Sequence, residues 1–534
     1  MSAQDAAAPA AAGPPSLAAG APPAGAGPAP LTGPALAITA IALALGTFMQ
    51  VLDSSIANVS IPTIAGDLGV SSDQGTWVIT SFAVSNGISV PLTGWLMGRY
   101  GVVRTFVVSV ILFTIASFLC GISWNLPSLI LFRVLQGGVS GPMIPGSQAL
   151  LISIFPPNRR GAALALWSMT TLVAPVAGPV LGGYICDNYS WPWIFLINLP
   201  VGAICAFLCW RNMKSRETPT RKLKVDTVGF SLLVVWVGVL QVMLDTGKDA
   251  DWFSSPAIVI EALVAAIVFV AWLIWELTEQ HPIVDLSLFK NKNFAIGAAI
   301  TCVGYGVFFG NNVLLPLWLQ TQVGYIATWA GLVAAPSGVM AVLLTPVVAR
   351  IMSRTDARWA ATGSIIAFAL SFWMRSDYTP DASFGVLVIP LVVQGVAMSG
   401  FFVSLITITL NGIPPDHLPS ATGLSNFTRI TAGSFAASIT TTAWDRSEAM
   451  HQNRLAELVG GTDPNWLHAL NGLKHAGFDT AHAIGAMTQQ FVSQAYLLAT
   501  LDFFRISAWM MLLLAPAIWL TRKAIGGGSH VAAD

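Results

Sequence analysis

Uncharged apolar runs of about twenty residues recur along almost the whole chain, and the charged positions gather in the segments between them. About twenty helical residues cross the hydrocarbon core of a bilayer. The pattern predicts fourteen crossings, near residues 36–57, 77–97, 105–123, 126–149, 161–184, 193–211, 227–245, 257–276, 294–315, 328–349, 359–376, 385–410, 421–443 and 502–521. The stretch 446–500 is expected to be a long loop. In it Trp466, Leu467, Leu470 and Leu473 recur at helical spacing, which suits either a docking surface or a helix lying on the membrane.

The order of short patterns repeats. Asn58-Val59-Ser60-Ile61-Pro62 recurs as Asn312-Val313-Leu314-Leu315-Pro316, Thr76-Trp77 as Thr328-Trp329, and Gln136-Gly137 with Ser140-Gly141 as Gln394-Gly395 with Ser399-Gly400. The predicted spans 1–6 and 9–14 therefore form two copies of a six-helix unit, with spans 7 and 8 inserted between them. Parallel repeats of this kind are a transporter architecture with the substrate at midplane between the halves. The expected organisation is a disordered Ala/Pro/Gly tail over 1–34, a six-helix bundle over 35–211, a basic linker with two inserted helices over 212–276, a second six-helix bundle over 277–521, and a short tail over 522–534. The first tail holds no Lys or Arg and no apolar core, so it does not read as a secretory signal; the first span is expected to serve as the insertion signal.

Composition agrees with a membrane protein: 54% of the 534 residues are hydrophobic and 9% charged, against about 25% charged in soluble domains. The net charge of zero gives no reason to expect nucleic acid or an acidic partner. No phosphate-binding Gly-rich loop is present, so nothing points to an ATPase, and no cofactor or metal site is expected. The five cysteines, Cys120, Cys186, Cys205, Cys209 and Cys302, lie mostly in apolar spans and read as small apolar fillers. With both termini inside, 17 Lys and Arg fall on the cytoplasmic side and 6 on the other, Arg375 among the latter. That asymmetry sets the expected orientation.

Two intramembrane charges carry the candidate chemistry. Asp53 lies inside the first span and must face a cavity or a partner, since a carboxylate at that depth costs about 2.5–3.5 kcal/mol. A carboxyl in a low-dielectric setting favours its protonated form, which suits a group that loads and releases a proton. Arg133 stays charged and is a fixed cation able to promote that release. The second repeat has Leu391 at the place of Arg133, so the feature is asymmetric. Glu261, early in the eighth span, is expected to reach the interface, and Arg429 to be a half-buried structural partner. Candidate cavity residues are Gln50, Asn58, Gln148, Trp167, Asn312, Asn411 and Asn426, sparse polar or aromatic groups in apolar spans.

Within 161–184, Gly178-Pro179-x-x-Gly182-Gly183 combines small residues with two prolines, Pro175 and Pro179. Such a helix approaches a neighbour closely and bends. We expect Gly178 and Gly182 to lie against a helix of the other half. This motif resembles the fifth-helix antiporter motif of major facilitator exporters. Leu52-Asp53-x-x-Ile56-x-Asn58-Val59-x-x-Pro62 resembles the first-helix motif of the fourteen-span drug:proton antiporters, and Arg133 the fourth-helix arginine motif. Gly94-Trp95-Leu96-Met97-Gly98-Arg99-Tyr100-Gly101 with Arg104 resembles the loop motif between helices two and three. It departs from the usual form in having Gly98 in place of Asp, so a gate built on that Asp is not carried over.

The resemblance covers about 36–525 and weakens over 446–500. It implies an all-α integral membrane protein of the major facilitator fold that exports hydrophobic toxic compounds across the bacterial inner membrane, driven by protons, and is not an enzyme. It also implies a periplasmic adaptor of the EmrA type and a TolC-type outer-membrane channel as partners. In such a scheme Asp53 and Arg133 couple protons, and lipid and a hydrophobic small molecule are the other contacts. An importer of the same fold remains open beside it; an intramembrane lipid-modifying enzyme has less in its favour, because no cluster of Asp, Glu or His lies at a membrane face.

Overall fold

The computed structural model describes residues 30–524 apart from 157–159, 221–224, 248, 281, 353, 380, 415–417 and 459–463. The tails expected at 1–34 and 522–534 therefore lie largely outside the described residues. Helices make up the architecture. A first group comprises α1 (Gly33–Leu68), α2 (Ser72–Gly75), α3 (Trp77–Ser89), α4 (Leu92–Tyr100), α5 (Val102–Gly121), α6 (Leu126–Ser140), α7 (Met143–Ile154), α8 (Arg160–Asn188), α9 (Trp193–Leu196) and α10 (Asn198–Met213). The hairpin α11 (Thr227–Thr246) and α12 (Pro256–Thr278) follows. A second group comprises α13 (Lys292–Thr321), α14 (Ala327–Met352), α15 (Ala357–Arg375), α16 (Phe384–Thr409), α17 (Leu418–Leu458), α18 (Pro464–His475) and α19 (Thr480–Ile518).

Among the described residues nine helices are long and apolar enough to cross a membrane. The other five expected crossings fall on α3–α4, α6–α7, α8, α15 and α17. Two of these are broken where proline removes an amide donor, at Pro91 between α3 and α4 and at Pro142 between α6 and α7. Longer helices keep their prolines, including Pro62 in α1 and Pro175 and Pro179 in α8, as membrane helices do when neighbours satisfy the freed carbonyls.

Each group has its own apolar core. Leu43, Met49, Phe106, Phe113, Met143, Cys205 and Cys209 pack in the first, and Phe308, Phe368, Phe372, Phe401 and Met511 in the second. Burial separates central from peripheral helices. In the most apolar stretch of α12 only 17% is buried, against 61% in α13. Ile260, Ile267, Val270 and Ile274 of α12 are exposed, a surface suited to lipid and not to water.

The stretch 446–500, expected to be a loop, is helical for most of its length. α17 continues to Leu458 and α19 already begins at Thr480, each far longer than a bilayer crossing needs. Between them α18 turns its stripe inward: Trp466 meets the Phe491 ring of α19 at 5.8 Å, and Leu470 and Leu473 are half-buried, while Leu467 is exposed.

Candidate functional site

The middle of α1 presents Asp53 inward, where neither water nor lipid reaches it. Arg133, on α6, enters from the opposite side, and Nη1 lies 2.6 Å from Asp53 Oδ2; both side chains are fully buried. Both oxygens of the carboxylate accept hydrogen bonds from within the first group. Gln136 Nε2 donates to Asp53 Oδ1 at 3.0 Å, and Asn198 Nδ2 of α10 donates to the same oxygen at 2.8 Å. Arg133 also donates to Gln136 Oε1 at 2.7 Å and, through Nε, to the carbonyl of Val78 in α3 at 2.8 Å. Ser117 of α5 completes the ring, accepting from Asn198 at 2.9 Å and Gln136 at 3.2 Å while donating to the Phe195 carbonyl. The Phe82 ring lies 4.2 Å from the guanidinium carbon and the Phe195 ring 5.4 Å. One nitrogen, Arg133 Nη2, has no hydrogen-bond partner.

Five segments thus converge on one buried ion pair: α1, α3, α5, α6 and the α9–α10 region. Asp53 faces a partner and not an open cavity. A buried pair of this kind is weak evidence for stability, because desolvation offsets much of the Coulomb attraction. Its chemistry is more informative. A carboxylate can accept a proton and release the guanidinium, and the surrounding amides and hydroxyl can rotate to serve either state.

Gln136, Asn198 and Ser117 were not singled out from the sequence as site residues. Gln136 carried a signal as part of the repeated Gln-Gly pattern. Asn198, a lone amide in the apolar run Phe195-Leu196-Ile197-Asn198-Leu199, carried a weaker one. The repeat has a polar counterpart. Gln394 of α16 accepts from Arg375 Nη2, which also lies 3.2 Å from Ser371. Arg375, expected at the outer end of its span, is the last residue of α15 and only 1% exposed, flanked by the rings of Phe372 and Phe504. Its chain position at a span edge suggested solvent, but the following turn folds it back under Tyr378, whose hydroxyl donates to the Leu387 carbonyl.

The antiporter motif uses two faces, and one expectation about it is corrected. A Cβ on Gly178 would lie 2.0 Å from Ser55 Oγ, and one on Gly182 would lie 2.8 Å from the Ile56 carbonyl oxygen. Gly178 and Gly182 therefore pack against α1 of their own group and not against the other half. The other half is met by the neighbouring face. A Cβ on Gly183 would lie 2.4 Å from the Ala327 carbonyl oxygen, and one on Gly331 of α14 would lie 2.2 Å from the Pro179 carbonyl oxygen. Residues 178 and 182 share one stripe, and 179 and 183 the adjacent stripe about 100° round the helix, so one motif serves two partners. At the same end Asp187 accepts from the Thr328 backbone amide at 2.7 Å, and Gln320 donates to the Val59 carbonyl at 2.9 Å.

The cavity candidates do not form one cluster. Gln50 and Asn58 are buried on α1, with Gln50 Oε1 and Asn58 Oδ1 lacking partners. Trp167 donates to Ser147 at 3.2 Å, and Ser147 pairs with Thr47, while Gln148 beside it is half-buried. Asn312 is half-buried on α13, whereas its fully buried neighbour Asn311 donates to Ser507 at 3.1 Å. Asn426 accepts from Arg429 at 3.3 Å, and Arg429 lies over the Tyr305 ring at 4.8 Å. Asn411 is placed away from the midplane: just beyond α16, it donates to the Lys523 carbonyl at 3.0 Å at the end of the described chain. Glu261 is half-buried on α12 beside the valines of α11, and its Oε2 has no partner.

The loop motif behaves differently from its sequence form. Arg99 and Arg104 have exposed side chains, and a Cβ on Gly94 would meet nothing. Gly101 adopts φ +92°, in the left-handed region, and caps α5 without a side chain. The carboxylate at this helix start comes from a distant segment. Glu217 accepts from the amides of Val103 at 2.9 Å and Arg104 at 2.8 Å. Glu217→Ala is expected to cost about 1–2 kcal/mol, the worth of an N-terminal cap. The check is faster amide exchange in the first turn of α5 together with a lower melting temperature in detergent.

Comparison with known proteins decides the family. The sequence profile of the Major Facilitator Superfamily matches residues 43–438, most of the chain. The chain belongs to the major facilitator superfamily. Within it the chain falls in the EmrB-like branch. It is 49% identical to the Multidrug export protein EmrB of Escherichia coli (strain K12), covering 93% of this chain and 97% of that protein. It is 44% identical to the Fatty acid resistance protein FarB of Neisseria gonorrhoeae, covering 93% and 99%. Among solved structures it resembles the peptide transporter POT in complex with sulfate (TM-score 0.62, 13% identity, covering 92% and 98%). It also resembles a bacterial homologue of the human lysosomal transporter Spinster in an inward-facing, unoccupied conformation (TM-score 0.58, 16% identity, covering 92% and 98%). At these identities the structures establish the shared fold. The chain is a multi-pass membrane protein, and its relatives are transporters.

Proposed function

We propose that this transporter exports hydrophobic toxic compounds across the bacterial inner membrane in exchange for protons. Drug efflux follows from kinship with the EmrB multidrug export proteins over nearly the whole chain. Proton coupling rests on one observation: a carboxylate and a guanidinium, both fully buried and in contact, with amides on either side able to serve the charged and the neutral carboxyl. Proton loading of Asp53 breaks its pairing with Arg133 and frees α1 to move relative to α6. Deprotonation restores the pair. The two six-helix bundles, with boundaries at 35–211 and 277–521, are the moving bodies, and α8 and α14 are the surfaces between them. Gln50, Asn58, Gln148, Trp167, Asn312 and Asn426 contribute polar contacts along the path; Asn411 is left out of this assignment because it serves the end of the chain. An EmrA-type adaptor and a TolC-type channel fit the extended helices α17 and α19, which project well beyond a bilayer crossing.

The test is efflux of a hydrophobic dye from cells of a pump-deficient strain carrying the transporter. Export is expected to stop when a protonophore collapses the proton gradient while ATP is held constant. Export that continues unchanged contradicts the proposal. Orientation is checked by single-cysteine labelling in whole cells: Ala250→Cys is expected to react with an impermeant reagent and Ser215→Cys to react only after permeabilisation. The reverse pattern contradicts the assignment from the Lys and Arg asymmetry.

A further inference from the structure

The inserted hairpin has no counterpart in the repeats, and α12 faces outward, yet α11 carries a buried polar cluster that touches both helical groups. Asp245, next to last in α11, is 8% exposed. Its Oδ2 accepts from Thr80 Oγ1 of α3 at 2.9 Å and from Gln241 Nε2, one turn back, at 2.9 Å. Its Oδ1 accepts from Ser438 Oγ of α17. Gln241 Nε2 also donates to Ser438 Oγ at 2.6 Å. Ser434, one turn earlier on α17, donates to Gln241 Oε1 at 3.0 Å and to the Thr80 carbonyl at 3.1 Å. Thr80, Gln241, Ser434 and Ser438 are all buried.

Thr80 belongs to the first group and Ser434 and Ser438 to the second, so the cluster sits on a seam between the two. The seam is tight elsewhere too: a Cβ on Gly87 of α3 would lie 2.9 Å from Thr431 Oγ1 of α17. An ionised carboxylate is the side chain best suited to bridge it. Both of its oxygens only accept, so one can hold a hydroxyl from each group at the same time. In a setting that excludes water, loss of the bridge leaves the hydroxyls only local backbone acceptors within their own helices, such as the Ser434 carbonyl 3.4 Å from Ser438 Oγ, and nothing that spans the seam in its place.

We propose that Asp245 is a positioning residue for transport: it fastens α11 across the seam between α3 and α17, and the two groups part there only when its bonds to Thr80 and Ser438 are released. The inserted hairpin is then part of the closure between the halves and not a lipid-facing appendage. This rests on the movement of two helical groups that transport requires and is independent of Asp53 and its proton.

The experiment uses the full chain in lipid nanodiscs, with hydrogen–deuterium exchange read by mass spectrometry, and liposomes for downhill transport, which needs no proton gradient. Asp245→Leu removes both arms. It is expected to raise exchange roughly tenfold in the segments 76–89 and 430–445. It is also expected to change the maximal downhill rate while leaving KM unchanged, because the substrate path is untouched. Asp245→Asn keeps one acceptor oxygen and one arm, and is expected to fall between Asp245→Leu and the parent protein. Parent-like exchange in both segments and a parent-like maximal rate in Asp245→Leu overturn the proposal. Should Asp245→Leu fail to reach the membrane, Thr80→Val and Ser438→Ala each remove a single arm. Each is then expected to raise exchange in both helices along the seam by less than the loss of both arms. Parent-like exchange in both single-arm variants also overturns it.

Discussion

Asp53→Asn is expected to abolish accumulation of substrate against a gradient while leaving downhill movement intact. Asn matches Asp in size, and its one acceptor oxygen can still take the bonds from Gln136 and Asn198, so the fold around α1, α5 and α10 is kept. The bond from Arg133 is the one that cannot be replaced, since an amide nitrogen now faces the guanidinium. Arg133 retains Gln136 and the Val78 carbonyl, which limits the structural cost. The loss falls on coupling. One proton crossing 100 mV supplies about 2.3 kcal/mol, or about fifty-fold in concentration ratio, and the neutral variant forfeits that ratio for every proton it no longer carries. Steady-state dye accumulation in inverted vesicles, beside downhill flux in the same vesicles, measures both. Arg133→Leu should behave differently: an unpaired buried carboxylate costs about 3–5 kcal/mol unless it takes up a proton, so this variant is expected to be poorly stable and held in the loaded form. Equal melting temperatures for Arg133→Leu and the parent would contradict the buried-pair account.

Gly183→Val is expected to break the contact between the two groups, and Gly182→Val is not. The added carbon at 183 meets backbone, at 2.4 Å from the Ala327 oxygen and 2.7 Å from the Thr328 α-carbon, where no side chain can swing away. The helix ends must move apart, and with them goes the Asp187 bond to Thr328. Overpacking of this kind costs about 1–3 kcal/mol and here falls on one state of the cycle. The expected result is a proton leak in vesicles with much reduced efflux at normal protein level. At Gly182 the obstacle is Ile56 of α1, so the strain stays within the first group and lowers stability without opening a leak. A leak-free, fully active Gly183→Val would contradict the assignment of α8 and α14 as the surface between the halves.

Much of the fold was legible because hydrophobic length is a strong signal. Each expected crossing falls on a helix or helix pair, and two of the three breaks occur at Pro91 and Pro142, where the missing amide is visible in the sequence, while the third falls at Ile197 between α9 and α10. Asp53 and Arg133 stood out for a similar reason, since an unbalanced charge in an apolar run demands a partner. What the pattern did not carry was direction around a helix. Gly178, Gly182 and Gly183 all announced close approach, but which neighbour each one meets depends on a rotation of about 100° per residue and on tertiary placement. Long-range partners were equally silent. Nothing near Gly101 indicates that Glu217 will cap α5, and nothing near Asn198 indicates that it will reach Asp53. The stretch 446–500 was read as a loop because its polarity rules out a hydrocarbon setting, yet polarity does not prevent helix, and α17 and α19 carry on through it.

The central claim is that substrate and proton meet through Asp53. It is tested most directly by adding a hydrophobic substrate to purified transporter in a weakly buffered solution and following proton release with a pH indicator. In solution acidified until Asp53 is loaded and its pair with Arg133 is broken, the parent protein is expected to release up to one proton per chain on saturation, and Asp53→Asn none, with both binding the substrate. Equal release from the two proteins, or binding to the parent without any release, would contradict the account.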